Sequence, residues 1–245
     1  MNKLLKFIFG PVVRAMEKYL SDPLRRYHSI VFRKSMLLLQ FTPQEELLQS
    51  CMDFIRSNQL EGDYLEFGVF EGRSFIAAHH LARAYGLAMR FFAFDSFKGM
   101  PPSAQGKYEG FTRYNEGRFC CDIEAFKRNL RVKRVDMRSV FFTEGFFDRT
   151  LTEERRDSLG LSKAALIMVD CDLYESTVPV LDFVTPLIQD GTLMIFDDWF
   201  AYRGHPDHGE QRAFREWLQK NPAIRAMPYY SHRFQGQSFL LHNET

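Results

Sequence analysis

From about residue 63 onward, short apolar runs alternate with longer amphipathic segments. The apolar runs, typical of buried strands, cover residues 63–69, 90–97, 139–145, 165–170, 191–197, 226–230 and 237–242. The segments with helical spacing cover residues 74–86, 122–130, 176–188 and 210–221, and a further helix is predicted to begin at Thr42 and run towards Asn58. Alternation of this kind predicts a parallel sheet with helices on both faces.

The last two apolar runs are only a few residues apart, which is too short for a parallel crossover connection. One of them must therefore run antiparallel to its neighbours. We predict an α/β fold with a doubly wound, mostly parallel, seven-stranded sheet and an antiparallel C-terminal strand. We expect a helical N-terminal extension or lid over residues 1–45 and a catalytic domain over residues 46–245.

Composition adds little beyond the globular class. Hydrophobic residues make up 45% and charged residues 26% of the chain, and a net charge of +1 gives no reason to expect a nucleic-acid partner. The four cysteines form no C-x-x-C pair, which argues against a zinc site and a disulfide framework. We therefore expect a reducing, cytoplasmic location.

The first 20 residues, MNKLLKFIFGPVVRAMEKYL, combine apolar and basic positions. Lys6, Pro11 and Arg14 interrupt the apolar stretch and no small-residue cleavage site follows, so a signal peptide is not predicted. No run reaches the ~18 apolar residues of a membrane span. An amphipathic helix that packs on the body or on a partner is favoured, and contact with a membrane surface remains the alternative.

The turn after the first strand, LEFGVFEGRS (residues 65–74), is a candidate ligand-binding turn. Gly68 and Gly72 bracket it, but Phe70 stands where a dinucleotide-binding G-x-G-x-x-G motif has its second glycine. Glu66 and Glu71 would repel a diphosphate, so a cationic, phosphate-free adenosine ligand suits the turn better. The alternative is a plain strand-to-helix turn. The cofactor-binding residues predicted in this turn are Glu66, Gly68, Glu71, Gly72 and Ser74.

The second strand ends in Asp95, followed by Ser96. An acid at this distance beyond the glycines is suited to hydrogen bonds with ribose hydroxyls, and we assign both residues to the cofactor site. A helix cap or a solvated loop acid is the other interpretation of Asp95.

Two further strands end in pairs of acids: Asp170 and Asp172 in IMVDCDLYEST, and Asp197 and Asp198 in TLMIFDDWF. Ionised groups are costly to bury unless a positive group meets them. The acids could also cap the helices that follow or lie in solvated loops.

Five motifs in this order, LEFGVFEGRS, FAFDSFKGMP, EGFFDRTL, VDCDLYEST and FDDWF, resemble those of the class I S-adenosylmethionine-dependent methyltransferases. Within that class the chain closely resembles the macrocin O-methyltransferase family, which methylates sugar hydroxyls of macrolides and related natural products. The resemblance implies a Rossmann-like fold and S-adenosyl-L-methionine as cofactor, with Gly145 and Phe146 near its adenine.

The resemblance also implies Mg²⁺, held by Asp170, Asp197 and Asp198, with Asp172 as the general base. Neighbouring parallel strands lie about 4.8 Å apart, so their ends would bring these acids together, as such a metal site requires. An all-oxygen ligand set favours Mg²⁺, Mn²⁺ or Ca²⁺ over zinc. A positioned carboxylate that takes the proton of an attacking hydroxyl typically contributes ~10²- to 10⁴-fold in rate.

We therefore expect an O-methyltransferase that acts on a hydroxyl of a sugar, a glycosylated natural product or a polysaccharide unit. A catechol-type acceptor, a nicotinamide-dependent oxidoreductase and a non-catalytic scaffold are the alternatives. The expected partners are a small-molecule or glycan acceptor and a second copy of the chain in a homo-oligomer. His205 and His208 follow the fifth strand, and either a substrate contact or a plain loop position fits them.

Overall fold

The computed structural model describes residues 42–102, 114–232 and 235–244. They form a seven-stranded sheet in the order β3-β2-β1-β4-β5-β7-β6. The strands are β1 Asp63–Phe67, β2 Phe91–Asp95, β3 Val140–Glu144, β4 Ala164–Val169, β5 Thr192–Phe196, β6 Ile224–His232 and β7 Gly236–Asn243. The helices are α1 Pro43–Ser57, α2 Arg73–Tyr85, α3 Ile123–Val132, α4 Phe147–Thr150, α5 Glu153–Ser158, α6 Tyr174–Val184 and α7 Gly209–Lys220. Single turns of 3₁₀-helix occur at Met137–Ser139, Thr185–Leu187 and Tyr202–Gly204.

The predicted topology is confirmed. The first five strands are parallel to one another, whereas β7 pairs antiparallel with both β5 and β6. Only three residues separate β6 from β7, and a connection of that length can only make a hairpin. The fold class predicted from the apolar pattern is therefore the observed one.

Alternating side chains of each strand supply two separate cores. On β1, Tyr64 packs with residues of α1, α2 and α3 on one face, whereas Leu65 and Phe67 pack with residues of α6 and α7 on the other. Every residue of β1, β4 and β5 is buried, as expected for central strands that helices cover on both sides. Burial on both faces fixes the register, because a shift by one residue would exchange the two cores.

The sheet places a crevice beyond the carboxyl ends of its central strands. β1 lies between β2 and β4, so the order in which strands are added to the sheet reverses at β1. Ligands of open α/β sheets bind at such a switch point. Hydrogen bonds continue the ladder past the strand ends: the Asp170 N–H donates to the Phe67 carbonyl and the Asp197 N–H to the Val169 carbonyl. The acids that follow β4 and β5 are thereby fixed at one edge.

The structure departs from the predicted elements in two places. The segment EGFFDRTL, predicted as a loop, contains the short helix α4, and a second short helix, α5, follows it. β6 extends beyond the predicted residues 226–230 at both ends.

The prediction of a helical extension falls mostly on residues 1–41, which lie outside the described residues. α1, the first described helix, begins at Pro43. The division into an extension over residues 1–45 and a catalytic domain over residues 46–245 stays a prediction. No helix within the described part of the chain has the length and apolar character needed to cross a membrane.

Gly68 closes the turn after β1 against the end of β4, and no other residue fits there. Its φ is 87°, and a Cβ atom at this position would lie 1.9 Å from the Asp170 carbonyl oxygen. We expect Gly68→Ala to lower the free energy of unfolding by about 3 kcal/mol or more, because backbone strain and a backbone clash act together.

Gly86→Ala is the matched control for this prediction. Gly86 also has a left-handed φ, 69°, but a Cβ atom there meets nothing within 4 Å. Urea denaturation of Gly86→Ala should show a loss of only about 1 kcal/mol, the cost of the backbone conformation alone. Equal losses in the two variants would contradict the close approach of the β1 turn to β4.

Candidate active site

The acids that follow β4 and β5 converge. Asp170, Asp197 and Asp198 each offer a carboxylate oxygen, and these oxygens lie within 4.8 Å of one another. Asp197 and Asp198 are buried and Asp170 is partly buried. Three carboxylates this close repel one another strongly in a protein interior, and a hard divalent cation that all three can bind is the simplest compensation. The donor set therefore fits Mg²⁺ or Mn²⁺.

Asp172 is buried beside this group. Its φ of 60° is left-handed, a conformation that Asp adopts more readily than most residues, and its carbonyl oxygen accepts a hydrogen bond of 3.3 Å from the Tyr202 hydroxyl. Burial raises the pKa of the Asp172 carboxyl well above its usual value, and the neighbouring charges of Asp198 and Asp170 add to the rise. A carboxyl group with a raised proton affinity is thus placed next to the three converging acids.

Hydrogen-bond donors from distant parts of the chain orient two of these carboxylates. Gln44 Nε2 and His232 Nε2 each lie 3.1 Å from Asp197 Oδ1. Donors that fix the orientation of a carboxylate in this way are typical of metal sites.

Asp198 is held in the same manner. The Tyr114 hydroxyl donates to Asp198 Oδ1 at 2.9 Å, and the Gln235 side-chain amide donates to the same oxygen. The predicted site residues did not include Gln44, Tyr114, His232 or Gln235. None of them belongs to a recognisable motif, and only the tertiary fold brings them to the site.

Glu210 binds the backbone of Asp198. It lies in the first turn of α7 and is 1% exposed, and its Oε2 accepts a hydrogen bond of 3.1 Å from the Asp198 N–H. A negative charge is favoured at the N-terminus of a helix. Burial raises the pKa of Glu210 well above its usual value, and the charge of Asp198 adds to the rise. Glu210 thereby ties α7 to the end of β5.

A cavity of about 640 Å³ extends from these acids across the ends of β1 and β2. It brings together eight of the thirteen predicted site residues: Gly68, Asp95, Ser96, Phe146, Asp170, Asp172, Asp197 and Asp198. Its volume is in the usual range for sites that bind small organic molecules.

Asp95 is rigidly positioned in this cavity. Its Oδ2 accepts hydrogen bonds from the N–H groups of Val69 at 2.8 Å and Phe70 at 3.2 Å, and its Oδ1 accepts one from Phe97 N–H at 2.7 Å. Burial raises the pKa of Asp95, which these backbone hydrogen bonds partly offset. The carboxylate joins the turn after β1 to the end of β2. Each oxygen has two lone pairs, so Oδ1 keeps one acceptor site for a ligand hydroxyl.

Glu66 and Ser74 do not line the cavity. Glu66 shares a face of β1 with Tyr64 and is fully buried, where it accepts hydrogen bonds from the Tyr64 hydroxyl and, at 2.5 Å, from Ser74 Oγ. Burial raises the pKa of Glu66 to about 8. The pair connects β1 to the start of α2 below the turn.

Glu71, Gly72 and Gly145 do not line the cavity either. Glu71 is exposed, and a Cβ atom on Gly72 would lie 2.6 Å from the Phe126 ring, so Gly72 serves helix packing. At Gly145 a Cβ atom would lie 2.5 Å from the Thr150 side chain, which explains glycine at the entry to α4. The cofactor roles predicted for these residues stay predictions.

His205 and His208 also lie outside the cavity lining. Their rings contact one another with centroids 4.6 Å apart, and His208 is the residue at the N-cap position of α7. The loop position is therefore the one that the geometry supports.

The fold is that of the Rossmann-like O-methyltransferases. The O-methyltransferase NovP superposes with a TM-score of 0.67 at 24% identity, covering 81% of this chain and 79% of NovP. CalS11, a calicheamicin methyltransferase, superposes with a TM-score of 0.61 at 20% identity, covering 98% of this chain and 94% of CalS11. At these identities the likeness establishes the fold alone.

The sequence narrows this class to one family. The family model for macrocin-O-methyltransferase (TylF) matches residues 44–221, and the chain belongs to that family. The matched region contains every predicted site residue.

Two characterised relatives are similar to this chain over part of their length. The 8-demethyl-8-(2,3-dimethoxy-alpha-L-rhamnosyl)-tetracenomycin-C 4'-O-methyltransferase of Streptomyces olivaceus is 30% identical over 62% of this chain and 58% of its own length. The demethyldecarbamoylnovobiocin O-methyltransferase of Streptomyces niveus is 30% identical over 63% of this chain and 59% of its own length. The match thus spans less than two thirds of either relative.

Proposed function

We propose that this protein is an S-adenosylmethionine-dependent and divalent-metal-dependent O-methyltransferase that acts on a hydroxyl of a sugar or glycosylated acceptor. The observation that carries the proposal is the shared cavity. It has Asp95 at one end, where a ribose can bind, and the acids Asp170, Asp172, Asp197 and Asp198 at the other. A donor and an acceptor can therefore be held side by side, which is the main requirement of an in-line transfer.

Asp170, Asp197 and Asp198 would hold the metal ion. A bound Mg²⁺ or Mn²⁺ would orient an acceptor oxygen and lower its pKa. The protein's own contribution is to fix the orientation of two of these carboxylates beside the third. Gln44 and His232 orient the carboxylate of Asp197. Tyr114 and Gln235 orient that of Asp198. Glu210 holds the backbone between β5 and α7.

Asp172 would accept the proton of the attacking hydroxyl. It is two residues beyond Asp170, and its left-handed backbone turns the chain away from the strand direction into the cavity that the acids line. Without a metal ion, its burial and its acidic neighbours favour the protonated form. A cation held by the three neighbouring acids would favour the ionised form, which can accept a proton.

The donor would lie across the ends of β1 and β2. Asp95 would bind the ribose hydroxyls, the absence of a side chain at Gly68 leaves room beside the acids, and Phe146 would flank the adenine. The absence of a glycine at position 70 disfavours a pyrophosphate and therefore a nicotinamide cofactor.

The sugar acceptor is inferred from the family and from the rhamnosyl group in the name of one relative. A polysaccharide unit has the same chemistry. A cytoplasmic location and a homo-oligomeric state are expectations from the sequence alone.

Calorimetry and product analysis test this function. We expect saturable binding of S-adenosylmethionine and S-adenosylhomocysteine and no binding of NAD. With Mg²⁺ present, mass spectrometry should show a single added methyl group on a rhamnoside but none on catechol. Binding of NAD in place of S-adenosylmethionine would refute the proposal, and turnover of catechol alone would reassign the acceptor.

A further inference from the structure

Two phenylalanines line the cavity in a strained and exposed arrangement. The rings of Phe70 and Phe119 meet edge to face with centroids 6.1 Å apart, and the residues are 41% and 39% exposed. Their φ angles of 43° and 56° are left-handed. Bulky residues rarely adopt this conformation, which costs about 1–3 kcal/mol each and persists mostly at functional sites. Exposure and strain together mark this aromatic pair as a ligand contact.

Hydrogen bonds fix both members of the pair beside Asp95. Phe70 N–H donates to Asp95 Oδ2 at 3.2 Å, so its side chain leaves the backbone next to that carboxylate. Phe119 follows a segment that is held against the loop after β2, where Met100 N–H donates to the Arg118 carbonyl at 2.9 Å. Gly99 permits this approach, since a Cβ atom there would lie 2.5 Å from the Arg118 carbonyl oxygen.

The position in the sheet places Asp95 and Phe119 away from the acidic end of the cavity. Asp95 ends β2 and Phe119 belongs to the chain that follows it, whereas the converging acids follow β4 and β5. β1 separates β2 from β4, so their ends are about 10 Å apart. Phe70 follows β1, between the two, and its N–H is bonded to Asp95. A ligand whose ribose binds Asp95 therefore lies against the pair.

We propose that Phe70 and Phe119 form an aromatic cover over the adenosyl part of the methyl donor. The assignment rests on the proposed function, because it takes Asp95 as the ribose-binding residue. Binding would remove the exposed ring surface from water, and burial of this much apolar area corresponds to roughly 10-fold in affinity for each ring. The cover contributes to donor affinity and leaves acceptor binding unaffected.

Isothermal titration calorimetry with S-adenosylmethionine and S-adenosylhomocysteine tests the proposal on Phe70→Ala, Phe119→Ala and the double variant. We expect Kd to rise about 10-fold for each of the two ligands in the single variants and further in the double variant. The KM of the acceptor should stay within 2-fold of wild type. Phe141→Ala is the matched control, because Phe141 is 37% exposed on β3 but does not line the cavity, and its Kd should not change.

Phe70→Gly distinguishes the effect of losing the ring from the effect of the backbone conformation. Glycine adopts a left-handed φ without strain, so this variant keeps the turn intact while it removes the ring. Its thermal midpoint should equal or exceed that of Phe70→Ala, with the same loss of donor affinity. Unchanged donor Kd in the double variant, or a rise in acceptor KM instead, overturns the proposal. A wild-type protein that binds neither S-adenosylmethionine nor S-adenosylhomocysteine refutes the proposed function itself, and the inference with it.

Discussion

Asp172→Asn is expected to lower kcat by at least 10²-fold while the Kd of S-adenosylmethionine stays within about 2-fold of wild type. The substitution removes the proton acceptor and little else. Asn has the same shape as Asp and tolerates a left-handed backbone, so the φ of 60° at this position is kept. Steady-state kinetics with saturating acceptor and Mg²⁺, together with calorimetry of donor binding, provide the two readouts.

Asp182→Asn is the matched control for this result. Asp182 is an exposed acid on α6, ten residues beyond Asp172, and it lies outside the cavity lining. Its kcat should equal that of wild type. Near wild-type turnover in Asp172→Asn would remove Asp172 from the mechanism, whereas a parallel loss of donor affinity would assign it to binding.

Asp198→Asn is expected to abolish metal binding and turnover together. The Asn side chain keeps the oxygen that accepts hydrogen bonds from Tyr114 and Gln235, but it removes one charge from the crowded group. We expect the Kd of Mn²⁺, measured by electron paramagnetic resonance without donor or acceptor, to rise at least 10²-fold. A chelator should likewise abolish turnover of the wild type, and added Mg²⁺ or Mn²⁺ should restore it.

Thermal stability distinguishes a metal ligand from a structural residue at this position. Loss of one of several repelling charges should leave the metal-free Asp198→Asn variant at least as stable as metal-free wild type. Mg²⁺ should raise the unfolding temperature of the wild type but not of the variant, since a cation that binds only the folded state stabilises it. Destabilisation of the variant that is the same with and without Mg²⁺ would contradict a metal role.

The fold was predictable because its signals are local and repeated. The central strands are buried at every position and mostly apolar, and the three-residue connection between β6 and β7 allows only an antiparallel hairpin. The short helices α4 and α5 were missed because four and six residues are too few to show a helical period. Their capping residues alone, such as Thr152, indicate a turn as readily as a helix.

The site was predictable only where its residues directly follow a strand. Asp95 ends β2, and Asp170 and Asp197 directly follow β4 and β5, so the carboxyl ends of these parallel strands already bring them to one edge of the sheet. Glu66 was placed in the same turn, but it lies inside β1, where the alternation of side chains directs it into the core with Tyr64.

The remaining contacts depend on the tertiary fold. Gln44 is 153 residues from Asp197 in the chain, and His232 belongs to a hairpin that follows the last parallel strand. No sequence spacing or motif predicts these hydrogen-bond partners. Glu210 was identifiable only as an acid near the start of α7, and its burial against Asp198 could not be read from its sequence context.

A crystal structure with Mn²⁺ and S-adenosylhomocysteine, analysed by anomalous scattering, tests the central claim most directly. We expect one anomalous peak about 2.0–2.3 Å from oxygens of Asp170, Asp197 and Asp198, with the ribose of the ligand on Asp95. Asp172 should face the ion across the space for an acceptor hydroxyl. A cavity in which the ligand is bound but no anomalous peak lies among these carboxylates would contradict the account.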